Sequence, residues 1–196
     1  MALTTFQPVR VAFKEWAVIV DALGRGDQIL ILRKGGISEG PGGFQLEHDR
    51  FLLFPTQFHQ QRQNVTSTAQ IHYDLIAPQL SPGVVHIEYF AEVVDWKLIE
   101  NLESAMRLRG QHVWQDDAVR AKFETGKTRS VYAMALRVFR LPQPVELPMA
   151  DRYAGCKSWI DLDTTISGEG AQPVLTDHEF DAKLKQFEQA LDPAKV

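Results

Sequence analysis

The spacing of hydrophobic residues predicts a helix over Val9–Leu23 and a buried strand over Gln28–Lys34. In the first segment apolar side chains recur three and four residues apart, as they do on one face of a helix. In the second, QILILRK, almost every position is apolar, which is typical of a strand buried on both faces. Residues 84–96, VVHIEYFAEVVDW, alternate between polar and apolar and predict a half-buried strand.

The middle of the chain combines a glycine-rich loop, short strands and a long polar run. Residues 35–43 predict the loop. FQLEH and RFLLFPT predict two strands, the second ended by Pro55, which cannot donate to a sheet ladder. The run from Gln57 to Pro82 has little apolar surface to bury, so it predicts a long surface loop.

The second half of the chain predicts three helices, two strands and a linker. The helices are Leu98–Arg109, Asp116–Glu124 and Thr176–Leu191, the strands are Arg129–Pro144 and 155–162, and the linker is 163–175. Thr176 and Glu179 match a capping box at the start of the last helix, and an apolar stripe follows along it. The stripe consists of Phe180, Leu184, Phe187 and Leu191.

The order of these elements favours an α+β fold. Strands and helices do not alternate regularly, which argues against a doubly wound parallel sheet. We expect a curved, mostly antiparallel sheet or a small β-barrel with flanking helices. The expected division is a core domain over 1–162, a linker over 163–175 and an amphipathic helix over 176–196.

Composition narrows the class of protein. The 196 residues carry a net charge of −4, which does not suit a protein that coats nucleic acid through bulk charge. Such binding would need a local basic patch or a pocket for one base. The chain has one cysteine, no apolar run of membrane-spanning length and no secretory signal pattern, so we expect a cytoplasmic protein without membrane contact. No motif in it indicates a cofactor.

The densest group of chemistry-bearing residues lies between Arg33 and His59. Cations at a strand end, followed by glycines with free backbone N–H groups, form either an anion-binding nest or the basic shoulder of a hairpin. We predict that the group converges on one surface and binds a ligand. Its members are Arg33, Lys34, Gly35, Gly36, His48, Arg50 and His59.

Lys14, Trp16 and Trp114 are secondary candidates for the same cleft. Trp16 belongs either to the core or to the site. Lys14 and Glu15 either face a site at the junction of the first helix and the sheet or form a solvated pair. Trp114 precedes a helix, where an aromatic side chain can stack on a base or form a hydrophobic staple.

Five segments of the chain resemble a bacterial family described as domain of unknown function 1802. They are AFKEWAVIVDAL, QILILRKGGI, EHDRFLLFPTQFHQ, ALRVFRLPQP and YAGCKSWIDL. The resemblance extends from about Ala12 to Leu162 and leaves the C-terminal helix outside. It implies no established activity, but family members occur with restriction-enzyme domains, which points to DNA.

A second, weaker resemblance is to PUA-like barrels of the ASCH and EVE kind. Those proteins carry G-x-K-x-x-E-x-R where a helix enters a strand, and GDQILILR keeps the glycine, Gly26, and the arginine, Arg33. Ile31 and Ile29 stand where ASCH amidohydrolases have glutamate and threonine, so that hydrolysis is not implied. The resemblance does imply a cleft beside the first helix that binds RNA or single bases.

Three hypotheses of function follow from the sequence. The first is a PUA-like domain that binds nucleic acid, a nucleotide or a base, in a restriction-type setting. The second is a metal-dependent nuclease or hydrolase that uses Glu47, His48, Asp49 and His59. The third is a non-catalytic interaction module whose C-terminal helix docks on a partner or on a second copy of the chain.

Overall fold

The computed structural model describes residues 7–34, 48–57, 59–77, 83–126, 128–155 and 157–192. Its strands are β1 (Val9–Trp16), β2 (Leu30–Arg33), β3 (Arg50–Thr56), β4 (Val84–Ile99), β5 (Val131–Pro148), β6 (Trp159–Ile166) and β7 (Gln172–Pro173). Its α-helices are α1 (Ala17–Gly24), α2 (Ser67–Ile76), α3 (Leu102–Met106), α4 (Asp116–Glu124) and α5 (Asp177–Leu191). Among the described residues, no helix is both long enough and apolar enough to cross a membrane.

The strands form one mixed sheet in the order β2-β5-β4-β3-β1-β6, and β7 pairs with β5. Only the β1–β3 pair is parallel among the described strands, and the others are antiparallel. In a flat sheet β2 and β6 would lie about 24 Å apart, since neighbouring strands are about 4.8 Å apart. Instead Arg33 Nη2 at the end of β2 donates a hydrogen bond to Ser158 Oγ, one residue before β6. The sheet therefore curls until its edges meet, and the predicted α+β fold is confirmed.

The helix predicted over Val9–Leu23 is wrong in its first half. Residues 9–16 form β1, which lies between β3 and β6, and only Ala17–Gly24 is helical. Ala12, Phe13, Lys14 and Glu15 are buried in succession, because both faces of this strand are covered. Side chains buried on both faces of a central strand remove the alternation that identifies a strand from its sequence.

Two other segments also depart from their predicted structure. The predicted loop 57–82 contains α2, which packs on α1, and the helix predicted over Leu98–Arg109 is reduced to α3 because β4 continues to Ile99.

The strand predicted over Arg129–Pro144 does not end at its prolines, because β5 continues to Pro148. The β4 partner changes from Tyr89, opposite Arg140, to Ile87, opposite Val145, so Pro142 and Pro144 lie in a bulge that needs no N–H donor.

The C-terminal third is integrated into the sheet and the core. Residues 163–166 complete β6 and residues 172–173 form β7. The capping box of α5 is confirmed, and Phe180 and Phe187 of the apolar stripe are buried in the main core, with Leu184 and Leu191 packed against it. Much of the stripe is therefore covered by this chain, and docking of the helix on a partner stays a prediction.

Replacing Gly24 with alanine is expected to lower the free energy of unfolding by about 1–3 kcal/mol, the usual cost of overpacking a core. A Cβ at this position would overlap the ring of Tyr89. That ring cannot swing aside, because Arg140 lies 4.9 Å from its centroid and donates to the Gly24 carbonyl at 3.1 Å. Urea denaturation measures the loss. Since the overlap involves this ring, Tyr89→Leu should make the Gly24→Ala change less costly, and equal costs in both backgrounds would contradict this account.

Candidate functional site

A cleft of about 180 Å³ opens where the edges of the curled sheet meet. The ends of β1, β2 and β3 reach it, and the segment before β6 forms its far wall. The lining residues are Lys14, Glu15, Trp16, Arg33, Thr56, His59, Gly155 and Lys157. Strand ends converge here because Arg33 bridges the first and last strands of the sheet order.

Lys14 fixes the far wall of this cleft. Its backbone N–H donates to the Ser158 carbonyl at 2.8 Å, and its Nζ donates to the carbonyls of Tyr153 at 2.6 Å and Gly155 at 2.7 Å. The side chain is buried, so these bonds replace the water that the ammonium loses. Lys14 thus positions Tyr153, Gly155 and Ser158 against β1.

Glu15, which is buried, and Arg33, which is half-buried, form a charge pair that lines the cleft. Glu15 Oε1 accepts a hydrogen bond from the Trp16 backbone N–H at 2.7 Å, and Glu15 Oε2 lies 3.7 Å from Arg33 Nη1. The glutamate is only 3% exposed. Glu15 Oε2 and Arg33 Nε are both buried without a hydrogen-bond partner in the described part of the chain. The pair therefore keeps one acceptor and one donor unused.

Two tryptophans and a lysine form a layer behind this pair. The rings of Trp16 and Trp114 lie 4.7 Å apart at an angle of 50°. Lys122 Nζ on α4 lies 4.1 Å from the centroid of Trp114 and 5.7 Å from that of Trp16. Burial lowers the pKa of Lys122 to about 8, an effect that Glu15 opposes and Arg33 reinforces.

His59 reaches the cleft from a strained backbone. Its φ is 57°, a left-handed conformation in which no other non-glycine residue of the described ranges is found. The side chain of the following residue, Gln60, anchors this segment. Its Oε1 accepts a hydrogen bond from the Val18 N–H at 3.1 Å, near the start of α1. Strain of this kind, about 1–3 kcal/mol, often marks functional positions.

The structure brings together four of the predicted site residues, Lys14, Trp16, Arg33 and His59, with Trp114 behind Trp16. Arg50 instead forms a cross-strand ion pair with Glu92, and the ring of His48 lies 5.3 Å from that of Trp159. Gly35, Gly36 and Glu47 lie outside the described residues.

Lys34 points away from the cleft and supports the end of α4. Its Nζ donates to the carbonyls of Phe123 at 3.1 Å, Ser130 at 2.9 Å and Thr128. Burial lowers the pKa of this lysine. Its three donors match three carbonyls, which is a structural role.

The hypothesis of a metal-dependent enzyme gains no support from the described residues. In these ranges no three histidine, cysteine, aspartate or glutamate side chains are placed to hold a metal ion. Of the four residues proposed for that chemistry, His59 lines the cleft and His48 packs on Trp159, while Glu47 is not described.

Sequence analysis missed Lys122 as a residue near the site and left Glu15 open between a site residue and a member of a solvated pair with Lys14. Both Lys14 and Glu15 are buried, with separate partners. A signal for Lys122 exists in its spacing, because it follows the buried Ala118 by four residues and so lies on the same face of α4.

A larger groove of about 780 Å³ lies between α5 and the end of β4. Several of its charged side chains, among them Lys97 and Lys185, are exposed. It includes none of the buried polar atoms that lack partners in the described ranges. The smaller cleft is therefore the better candidate for a specific site.

The curved sheet and its charged cleft define an α+β domain with a candidate site where the edges of the sheet approach each other. The family model described as "Domain of unknown function (DUF1802)" matches residues 12–186, and the chain belongs to that family. The match continues well into α5, past the end that the sequence resemblance predicted at Leu162. No curated protein matches the chain.

Solved structures similar to the chain are of the ASCH kind. One is a point mutant of the ASCH protein from Zymomonas mobilis, with 13% identity over 89% of this chain and 96% of that chain and a TM-score of 0.43. Another is the ASCH protein from Zymomonas mobilis itself, with 14% identity, 89% and 92% coverage and a TM-score of 0.40.

Proposed function

We propose that this chain is a PUA-like domain that binds a single base of a nucleic acid, or a free nucleotide, in the cleft. The observation that carries the proposal is that Trp16 lines the same cleft as the charge pair of Glu15 and Arg33. That pair retains an unused acceptor and an unused donor within the described ranges. An aromatic face with an adjacent acceptor and donor matches the surface of a base.

Stacking on Trp16 would supply part of the affinity. Trp16 lines the cleft, and the contacts of its indole with Trp114 and Lys122 hold the ring in place. A base stacked on an aromatic side chain contributes about 1–3 kcal/mol. A ring that is already held loses little conformational entropy when the ligand binds.

The edge of the base would supply specificity. A carboxylate oxygen accepts from an amino or imino group, and a guanidinium N–H donates to a ring nitrogen or carbonyl. Glu15 Oε2 and Arg33 Nε are the atoms that still need such partners among the described residues. A site with buried polar groups discriminates strongly against ligands that leave those groups unpaired.

The charge of the cleft suits a phosphate. Lys14, Arg33 and Lys157 line it against the single carboxylate of Glu15, although the whole chain has a net charge of −4. Lys157 is exposed at the rim, where a phosphate attached to the base would lie in water. Attraction would thus be local, as expected for a pocket rather than for a protein that coats a duplex.

The size of the cleft favours one base. At about 180 Å³ it is smaller than the roughly 300 Å³ at which pockets for drug-sized ligands begin. A base pair would not enter, so a single strand, a strand end or a base turned out of a duplex is the expected substrate. The restriction-type setting implied by the family resemblance predicts DNA rather than RNA.

Arg33→Ala is expected to weaken binding of single-stranded DNA about 10- to 100-fold, because a good donor pair to a base is worth about 1–3 kcal/mol. Fluorescence anisotropy with labelled single- and double-stranded DNA and RNA, at low and near-physiological salt, measures the effect. Lys185→Ala is the matched control, since Lys185 is exposed on α5 outside the cleft, and it should change affinity less than twofold.

The salt dependence separates a pocket from nonspecific attraction. Binding that survives near-physiological salt and prefers single strands supports the proposal, because stacking and edge contacts are screened little. Binding that is lost uniformly with salt and is insensitive to Arg33→Ala would contradict it. Trp16→Leu tests the stacking contact separately from the bridge that Arg33 makes to Ser158.

A further inference from the structure

Lys122 is a half-buried cation that has no hydrogen-bond acceptor among the residues that the structure describes. Its Nζ lies over the rings of Trp114 and Trp16, and it donates to no side chain or carbonyl among the described residues. An ammonium carries three donors, and a cation–π contact of about 0.5–2 kcal/mol replaces only part of its lost hydration. A structural lysine of this chain, such as Lys14 or Lys34, satisfies its donors with carbonyls.

The ammonium acts on the cleft through its electrostatic field. Glu15 attracts it and Arg33 repels it, and both of these residues line the cleft. Trp16 touches both the cleft and Lys122. A negative group bound beside Trp16 would therefore experience the charge of the half-buried Lys122, which water screens less than it screens a fully exposed charge.

We infer that Lys122 is an affinity-determining residue of the cleft, whose positive charge attracts the phosphate of the bound nucleotide. The inference rests on the proposed function, and it adds the residue that makes the site selective for anionic ligands. A merely structural lysine over two indoles would stabilise the fold but would not distinguish a nucleotide from an uncharged base.

This role predicts a pH dependence of a definite sign. In the free protein the pKa of Lys122 is about 8, lowered first by burial. A bound phosphate favours the charged form and raises that pKa, so binding takes up a proton. Affinity should be constant below pH 8 and should fall as the pH rises from 8 towards the higher pKa of the complex.

The residues around the Lys122 ammonium come from three parts of the chain. Glu15 on β1 and Arg33 on β2 are the charged residues that act on the ammonium. Lys34, at the end of β2, donates to the carbonyl of Phe123, the residue after Lys122. Trp114, which precedes α4, supplies the closest ring contact.

The test measures the dissociation constant of a fluorescein-labelled, mixed-sequence single-stranded DNA decamer between pH 6.5 and 9.5 at constant ionic strength. The dissociation constant of wild type should rise up to about fivefold between pH 8 and 9, because the protonated fraction of a lysine with a pKa near 8 falls by about that factor. Lys122→Arg stays charged and should give a flat profile. Lys122→Met keeps the stem over the indoles and should bind weakly at pH 7, also with a flat profile.

Lys185→Met is the matched control and should keep the wild-type profile. If Lys122→Met does not fold, the pH profile of Lys122→Arg alone tests the inference, and a flat profile supports it. A fall in affinity above pH 8 like that of wild type, in either Lys122 variant, overturns the inference. If wild type and the Lys122 variants bind the decamer with the same affinity, the role of Lys122 is refuted but the proposed function is not. If wild type does not bind the decamer at any pH, both the role of Lys122 and the proposed function are refuted.

Discussion

Replacing Lys14 with methionine is expected to lower the free energy of unfolding by about 3 kcal/mol and to abolish binding in the cleft. The ammonium donates to the carbonyls of Tyr153 and Gly155, and hydrogen bonds to charged groups contribute about 1.5–3 kcal/mol each. Methionine fills a similar volume but donates nothing. The buried Tyr153 carbonyl would then lose its partner, and the wall that carries Gly155 and Lys157 would leave β1.

Urea denaturation followed by tryptophan fluorescence measures the stability of this variant, and anisotropy with single-stranded DNA measures its binding. Gly24→Ala is the matched control, because it also destabilises the chain but lies outside the cleft. At a temperature where both variants are folded, only Lys14→Met should lose affinity. If the two variants bind equally well, Lys14 does not position the site.

The strands that could be predicted from sequence are those with a simple burial pattern. β4 alternates and β2 is continuously apolar, so both match their predicted segments closely. β1 could not be recognised, because Lys14 and Glu15 occupy buried positions whose partners, Ser158 and Arg33, come from distant segments. A charged residue is interpreted as solvated unless its partner is known.

The same limit explains the partial prediction of the site. Arg33, His59 and Trp16 were identified because cations, histidines and aromatic residues are chemically conspicuous. Which of them meet depends on how far the sheet curls, and the Arg33–Ser158 contact joins residues 125 positions apart. Arg50 was assigned to the site for the same reason, yet its strand partner places Glu92 directly opposite it.

Replacing Glu15 with leucine is expected to cost about 3–5 kcal/mol of stability, the usual effect of leaving one member of a buried ion pair without the other. Arg33 would keep a buried Nε with neither a hydrogen bond nor a counter-charge among the described residues. Lys122 would lose the carboxylate that opposes the lowering of its pKa, so that pKa should fall below about 8. Urea denaturation gives the first effect, and NMR titration of the lysine side chain gives the second.

The double variant Glu15→Leu with Arg33→Met separates stability from binding. Replacing both partners of a buried pair by apolar side chains is often neutral, so the double variant should be more stable than Glu15→Leu alone. A base would nevertheless find neither the carboxylate acceptor nor the guanidinium donor, and affinity for single-stranded DNA should stay at least tenfold below wild type. Recovery of both properties would show that the pair serves only the fold. We expect the double variant to recover stability but not binding. In that case the unused acceptor of Glu15 and the unused donor of Arg33 would be explained by a ligand that bonds to both.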